Sequence, residues 1–393
     1  MAKGTLKNGL LWAALLAAAV ALISLPGETM AAARDGLQLC YNVIIPSLFP
    51  FFILSSLLVE LGLAAALGRA VEGLMFPLFR VGGAGASALV LGLIGGYPVG
   101  ARTALELYQS GQCSREETER LLCFCNNSGP AFILGVVGAG VFRSTAIGLL
   151  LYGVHIAAAL AVGVLFRVIR PPKEARKAHS PRAVVRTASA AGAFTSAIKG
   201  ALTSTLSICA FVVCFTILLR LLTATGVLTL LARGIGILLA PLGFDQTWAV
   251  RLLTGLLEIS TGVTSLAGEG HLAGRIALAA FILGWSGLSV HCQTAALLEG
   301  SGLRTTGIWI GKLLHGILSA ILALAVCRVA FRETPVAVFS PAVPEWGTLA
   351  ELPNLLVPSL ALTLATAAGI LFLLRYTAKK GRRNRKPVVS WKT

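Results

Sequence analysis

Stretches of about 20 apolar residues, long enough to cross a ~30 Å hydrocarbon core as helices, recur from Leu10 to Leu374. Several of them are cut in the middle by glycine, proline or asparagine. Lipid offers no partner for backbone N–H and C=O groups, so a spanning segment must be a helix or part of a closed barrel, and runs of this length predict helices. The chain therefore reads as an all-α polytopic membrane protein whose interrupted segments need an explanation of their own. A composition of 56% hydrophobic and 12% charged residues agrees with lipid as the solvent.

The formal net charge of +17 raises the question of nucleic acid. The bases are concentrated in two stretches that flank apolar spans, which is the pattern of a topology signal and not of a nucleic-acid face. One is RVIRPPKEARKAHSPRAVVR, from Arg167 to Arg186, with a single acid; the other is the tail RYTAKKGRRNRKPVVSWKT, with none. Both are expected in the cytoplasm, with the bilayer as partner and no nucleic acid. The eight cysteines include no CxxC pair and lie mostly within apolar segments, so they read as small packing residues.

Counting crossings from a cytoplasmic start at Lys3 and Lys7 gives a first span and outer loop over residues 1–36, read as an uncleaved span, with a cleaved signal peptide as the alternative that the basic start and the small residues near Met30 to Ala32 leave open. A first unit follows over 37–169, then a basic cytoplasmic loop over 170–196 and a second unit over 197–331. An outer loop over 332–352, a last span over 353–376 and a cytoplasmic basic tail over 377–393 complete the chain. Span two is expected from about 37 to 61, an interrupted helix from about 116 to 142, and a plain span from about 144 to 168. In the second unit the spans are expected over about 200–222 and 306–330.

Landmarks in the two units correspond in order: Gly62 with Gly226, Pro77 with Pro241, Gly92 with Gly255, and Ser128-Gly129 with Ser286-Gly287, offset by 164, 164, 163 and 158. The near-constant offset indicates a duplication, and three crossings per unit would insert the second copy upside down. The expected architecture is an inverted repeat with two re-entrant hairpins and two interrupted helices. The hairpin tips should meet near the midplane.

Backbone that leaves its helix in hydrocarbon must be satisfied by protein or cavity water, so the interruptions mark the candidate binding site. The first tip is Gly95-Gly96-Tyr97-Pro98 with Arg102 beyond it, and the first break is Asn126-Asn127-Ser128-Gly129-Pro130. The second tip is Glu258-Ile259-Ser260-Thr261-Gly262, and the second break contains Ser286-Gly287 with Gln293 on a following turn. A charge at membrane depth costs about 2.5–3.5 kcal/mol on insertion scales, so Glu258 is expected to be protonated, paired or a ligand. His155 and His315, on plain spans, are expected as interhelical hydrogen-bonding residues outside the site.

The segments GLIGGYPVGA, CFCNNSGPAFILGVVG and GLLEISTGV together resemble the nucleoside-recognition, or Gate-domain, membrane proteins, most closely the YlbJ-type sporulation integral membrane proteins, over about residues 40 to 330. That family is similar in plan to concentrative nucleoside transporters. The resemblance implies that hairpin tips and unwound helices bind substrate and coupling ion. It also implies transport during sporulation, in the mother-cell or outer forespore membrane, with dipicolinic acid as cargo. A homo-oligomer follows only by the same analogy.

The function expected is secondary transport of a small polar or anionic solute, with no cofactor beyond a coupling H⁺ or Na⁺. A nucleoside transporter, or a spore-envelope scaffold without transport, are the alternatives. No GxxxxGK[ST] loop occurs for ATP-driven transport, and no HExxH, paired carboxylates or GxSxG elbow for an intramembrane enzyme.

Overall fold

The computed structural model describes residues 2–61, 63–169, 190–268 and 270–331, and every regular element among the described residues is helical. The first half comprises α1 (Ala2–Ser24), α2 (Pro26–Leu39), α3 (Ile45–Glu60), α4 (Leu63–Phe79), α5 (Gly85–Gly95), α6 (Val99–Gln109), α7 (Arg115–Leu121) and α8 (Thr145–Ile169). A π-helical turn over Cys40–Ile44 joins α2 to α3, and a π-type helix over Ala131–Val141 precedes α8. The second half comprises α9 (Ala190–Ala224), α10 (Val227–Leu239), α11 (Gln246–Leu257), α12 (Ile259–Thr264), α13 (Leu272–Trp285), α14 (Gly287–Leu298) and α15 (Thr306–Phe331).

Among the described residues, five helical runs are long and apolar enough to cross a membrane: Pro26–Leu54, Thr145–Ile169, Ala191–Ala224, Leu272–Leu298 and Thr306–Val329. The Leu272–Leu298 run is the central one, with 78% of its most apolar window buried against 22–56% for the others. Large apolar side chains such as Leu230, Ile237 and Leu238 on α10 are exposed, as lipid-facing positions should be.

The stretch around Glu28 and Asp35, expected as a loop, is helical. Pro26 opens α2 at a position that needs no backbone donor, and Glu28 lies in the first turn, where a carboxylate complements the helix dipole. Both acids also meet Arg220 of α9, Asp35 at 2.9 Å and Glu28 at 3.7 Å, so the polar face of α2 has a partner. The second span accordingly starts at Pro26 and not near residue 37. Likewise α9 begins at Ala190, inside the expected basic loop. Residues 170–189 of that loop, the segment over 332–352, the last span, the tail and Gly62 lie outside the described residues.

Arms of 11 residues in α5 and α6 span about 16 Å each at 1.5 Å per residue, half a hydrocarbon core, so the pair forms a hairpin that turns back at mid-depth. α11 and α12, with 12 and 6 residues, are shorter than a crossing in the same way. The arms of each hairpin touch backbone to backbone at small residues. A Cβ on Gly100 would fall 2.9 Å from the Gly92 Cα, and one on Gly262 would overlap the Gly255 Cα. Gly92/Gly100 and Gly255/Gly262 are the same pair in the two halves, offset by 163 and 162. The repeat inferred from isolated glycines thus recurs as a repeated contact, with small residues allowing the close approach.

A Cβ on Gly92 would also overlap the Cys125 carbonyl, whereas one on Gly234, on α10, meets nothing within 4 Å. Gly92→Ala should therefore destabilise by about 1–3 kcal/mol and Gly234→Ala should stabilise by about 0.5–1 kcal/mol. Thermal unfolding in detergent reads both, and equal melting temperatures for the two variants would contradict the packing described.

Candidate functional site

At the first tip α5 ends at Gly95, and Gly96 turns the chain with φ +75°, a conformation open to glycine at little cost. The turn presses on the first break: a Cβ on Gly96 would lie 2.8 Å from the Gly129 nitrogen. The second half repeats this contact with the parts exchanged, since a Cβ on Gly287, φ +74°, would lie 2.8 Å from the Ile259 nitrogen. Each tip is therefore seated against the break of its own half.

The first break is longer than expected, running from the end of α7 at Leu121 to Pro130. Several of its freed groups have partners. Asn127 Nδ2 donates to the Phe124 carbonyl at 2.8 Å, and Asn126 Nδ2 to Thr294 Oγ1 of α14 at 3.0 Å. The Ser128 N–H donates to His155 Nε2 at 3.2 Å, and Lys312 Nζ donates to the Asn126 carbonyl at 3.0 Å. Asn126 Oδ1 and Asn127 Oδ1 are buried with no protein donor among the described residues.

In the second half Glu258 caps α12. It is 1% exposed, and its Oε2 accepts the Thr261 N–H at 2.6 Å while Oε1 faces the Ser289 hydroxyl at 3.5 Å. Ser286 closes α13 at φ +83°, a left-handed conformation that costs a non-glycine residue about 1–3 kcal/mol. Two anchors hold it there: Trp285 Nε1 donates to the Leu256 carbonyl at 3.0 Å, and the Ser286 hydroxyl is hydrogen-bonded to the Tyr97 hydroxyl. Tyr97 also reaches the Leu283 carbonyl at 3.4 Å, so the first tip is tied to the second break.

These elements enclose a cavity of about 530 Å³ including its mouth. Leu48, Phe52, Phe132, Ile208 and Val212 give it apolar walls, and Tyr97, Glu258, Ser260, Ser289 and Gln293 give it polar groups. Among the described residues, Glu258 is the one carboxylate in the lining, and no Lys, Arg or His contributes to it. The arrangement suits a small, flat solute with several hydrogen-bonding groups.

The residues singled out from sequence separate into three sets. Gly95, Gly96, Tyr97, Gly129, Glu258, Ser260 and Gln293 line the cavity. Asn126, Asn127, Ser128 and Ser286 are buried in or beside the breaks, Thr261 supplies the N–H that Glu258 accepts, Pro98 caps α6, and Gly287 packs on the second tip. Arg102 stands apart, exposed on α6 one turn before Glu106, on the face opposite the buried Ala101, Ala104 and Leu105. It is not part of the cavity.

Sequence reasoning missed the group behind the first break. Lys312, His315, His155 and Thr294 are all buried there, and the two imidazoles pack with ring centroids 4.3 Å apart. The histidines do bond between helices as expected, His315 Nε2 to the His155 carbonyl at 2.9 Å, but they adjoin the site. Their signal was available: they are offset by 160, within the range of the other repeat landmarks.

A family model described as Gate, nucleoside recognition, matches residues 42–198, a range that takes in most of the expected first unit and the basic stretch after it. The chain is 33% identical over 325 residues to the sporulation integral membrane protein YlbJ of Bacillus subtilis (strain 168), covering 77% of this chain and 78% of that one. Among solved structures it is similar to CNTnw in an inward-facing, substrate-bound state, with a TM-score of 0.48 and 14% identity over 72% of this chain and 74% of that chain.

The tie between Tyr97 and Ser286 can be measured directly. A double-mutant cycle of Tyr97→Phe and Ser286→Ala should give a coupling of about 0.5–1.5 kcal/mol in unfolding free energy, the usual net worth of one buried hydrogen bond. Strict additivity of the two single variants would show that the bond is absent.

Proposed function

We propose that this integral membrane protein, which belongs to the YlbJ family of sporulation integral membrane proteins, is a secondary transporter for a small polar or anionic solute. One observation carries the reading: both hairpin tips, the first break and the helix that follows the second break line one cavity, and a buried carboxylate stands in its wall. Broken helices within hydrocarbon are sustained where they line a binding cavity, and a docking scaffold has no need of them. In this reading the units over 37–169 and 197–331 are inverted relative to each other, the hairpins enter from opposite sides, and both termini are cytoplasmic. The hairpin-bearing elements move against the remaining spans.

The lining bears on the cargo. Dipicolinate, the cargo implied for the family, is a flat dianion at neutral pH, and it would face Glu258 with no basic side chain in the wall. Like charges a few ångströms apart repel strongly in a site of low dielectric, so a dianion requires Glu258 to be neutralised by a bound proton or Na⁺. A nucleoside has no such requirement. Its base would lie against the Phe52 and Phe132 walls and its polar groups against Ser260, Ser289 and Gln293. Sporulation in the mother-cell or outer forespore membrane is the physiological setting that membership of the family supports.

Reconstituted vesicles test this with radiolabelled dipicolinate and uridine as probes. Flux of the transported probe should fall about tenfold or more in the Glu258→Gln, Ser128→Ala double variant, the size of one lost hydrogen-bonded contact. Glu258→Gln alone should raise dipicolinate flux relative to uridine flux by removing the repulsion. Wild-type flux in the double variant would dismiss the site. Absence of flux and of thermal stabilisation by either probe, with and without Na⁺, would favour the scaffold.

A further inference from the structure

Lys312, in the second turn of α15, is 2% exposed; His315, one turn on, is 0% exposed, and His155 of α8 is 1% exposed. The lysine donates to the Asn126 carbonyl at 3.0 Å, lies 3.1 Å from His315 Nδ1, and sits 5.4 Å above the centre of the Tyr97 ring. No ion pair links it to a carboxylate among the described residues. The titratable groups that face it are His315 on its own helix, His155 on α8, Tyr97 at the first tip, Cys125 before the first break and His291 on α14. None is a carboxylic acid, so this buried amine is surrounded by neutral acceptors.

The hydrogen bonds fix where protons lie. A carbonyl oxygen only accepts, so His315 Nε2, 2.9 Å from the His155 carbonyl, carries a hydrogen. In the neutral imidazole its Nδ1 is then a lone pair aimed at Lys312. His155 Nε2 accepts the Ser128 N–H, so its hydrogen is on Nδ1, and a second proton on that ring would break the bond to the first break. Between Lys312 Nζ and His315 Nδ1 there is room for one acidic proton: as ammonium donating to imidazole, or as imidazolium donating to amine. Two would place like charges 3.1 Å apart in the protein interior.

We propose that Lys312 and His315 form a one-proton binding site between the two halves, and that this proton is the ion coupled to movement of the first break. The coupling rests on the transport reading above; the site does not. With the proton bound, the bond from Lys312 to the Asn126 carbonyl is charge-assisted, roughly twice as strong as a neutral one. With the proton released to water, the amine still donates one N–H to Asn126 and one to His315 Nδ1. No buried group is stranded, but the first break is held less firmly. Proton loss thus loosens the unwound segment that seats the first tip, and no bond between heavy atoms changes.

Hydrogen–deuterium exchange of the peptide covering residues 122–130, corrected for intrinsic pH dependence, reads this without any solute. In the wild type its protection should fall about tenfold between roughly pH 6 and 9, as a charge-assisted bond gives way to a neutral one. Lys312→Met should remove that pH dependence. His315→Gln, whose amide keeps a hydrogen bond to each neighbour, should shift its midpoint by about one unit or more, and it decides the matter if Lys312→Met does not fold. A flat wild-type profile, or variants with the wild-type profile, would overturn the site whatever flux is measured. In vesicles, an acid-outside gradient should accelerate uptake of whichever probe, dipicolinate or uridine, exchanges at equal pH, and should not do so in the variants. Exchange that ignores the gradient would overturn the coupling, and a pH-dependent profile without flux of either probe would overturn the transport reading while leaving the proton site.

Discussion

Backbone polar groups released by a helix break inside an apolar protein must find partners, and here some come from the same half, as His155 and Asn127 do for the first break, and others from the other half of the chain. Lys312 donates to the Asn126 carbonyl, Thr294 Oγ1 accepts from the Asn126 side-chain amide, and the Tyr97 hydroxyl joins Ser286 and the Leu283 carbonyl. Leaving one such group buried and unsatisfied costs about 1–3 kcal/mol. Neither half can therefore keep its interruptions without its counterpart. The duplication makes this dependence mutual, and the meeting point of the halves is where non-helical backbone is tolerated.

Close backbone contact makes those bonds reachable. The hairpin arms meet at Gly92 and Gly100 in one half and at Gly255 and Gly262 in the other, and α13 meets α15 at Gly284 and Gly316. A side chain at any of these would separate elements whose hydrogen bonds tolerate only a few tenths of an ångström. The last contact also sets the height of α15 and so places Lys312 and His315 against the first break. Packing of small residues and satisfaction of polar groups are one constraint seen from two sides.

The interruptions were legible in the sequence because glycine, proline and asparagine punctuate apolar runs that otherwise read as plain helix, and Glu258 stood out as a charge at depth. Lys312 obeys the same rule, yet the glycines of its span, Gly307, Gly311 and Gly316, stand singly in an apolar run with no proline or asparagine, so its charge drew no notice. Arg102 was misplaced for the converse reason. It lies near a conspicuous tip, while the amphipathic spacing of Arg102 and Glu106 against Ala101, Ala104 and Leu105 already marks the exposed face of α6. The helical path of α2 was hidden because acids in a short segment after a proline look like a loop. What turns them helical is Arg220, about 190 positions away in the chain, and no local pattern announces a partner that distant.

Tyr97 touches both places where the site buries an ionisable group. One face of its ring lies under the Lys312 amine, its hydroxyl holds the second break, and it lines the same cavity as Glu258. A movement of the first tip that carried Tyr97 away would uncover the lysine to the cavity and release Ser286 from the hydroxyl that supports its left-handed conformation. It would also lift Gly96 off Gly129, where the two backbones are in contact. Three consequences in both halves thus depend on the position of one side chain. In a molecule that alternates between two arrangements, the first tip is the element whose displacement the second half must register.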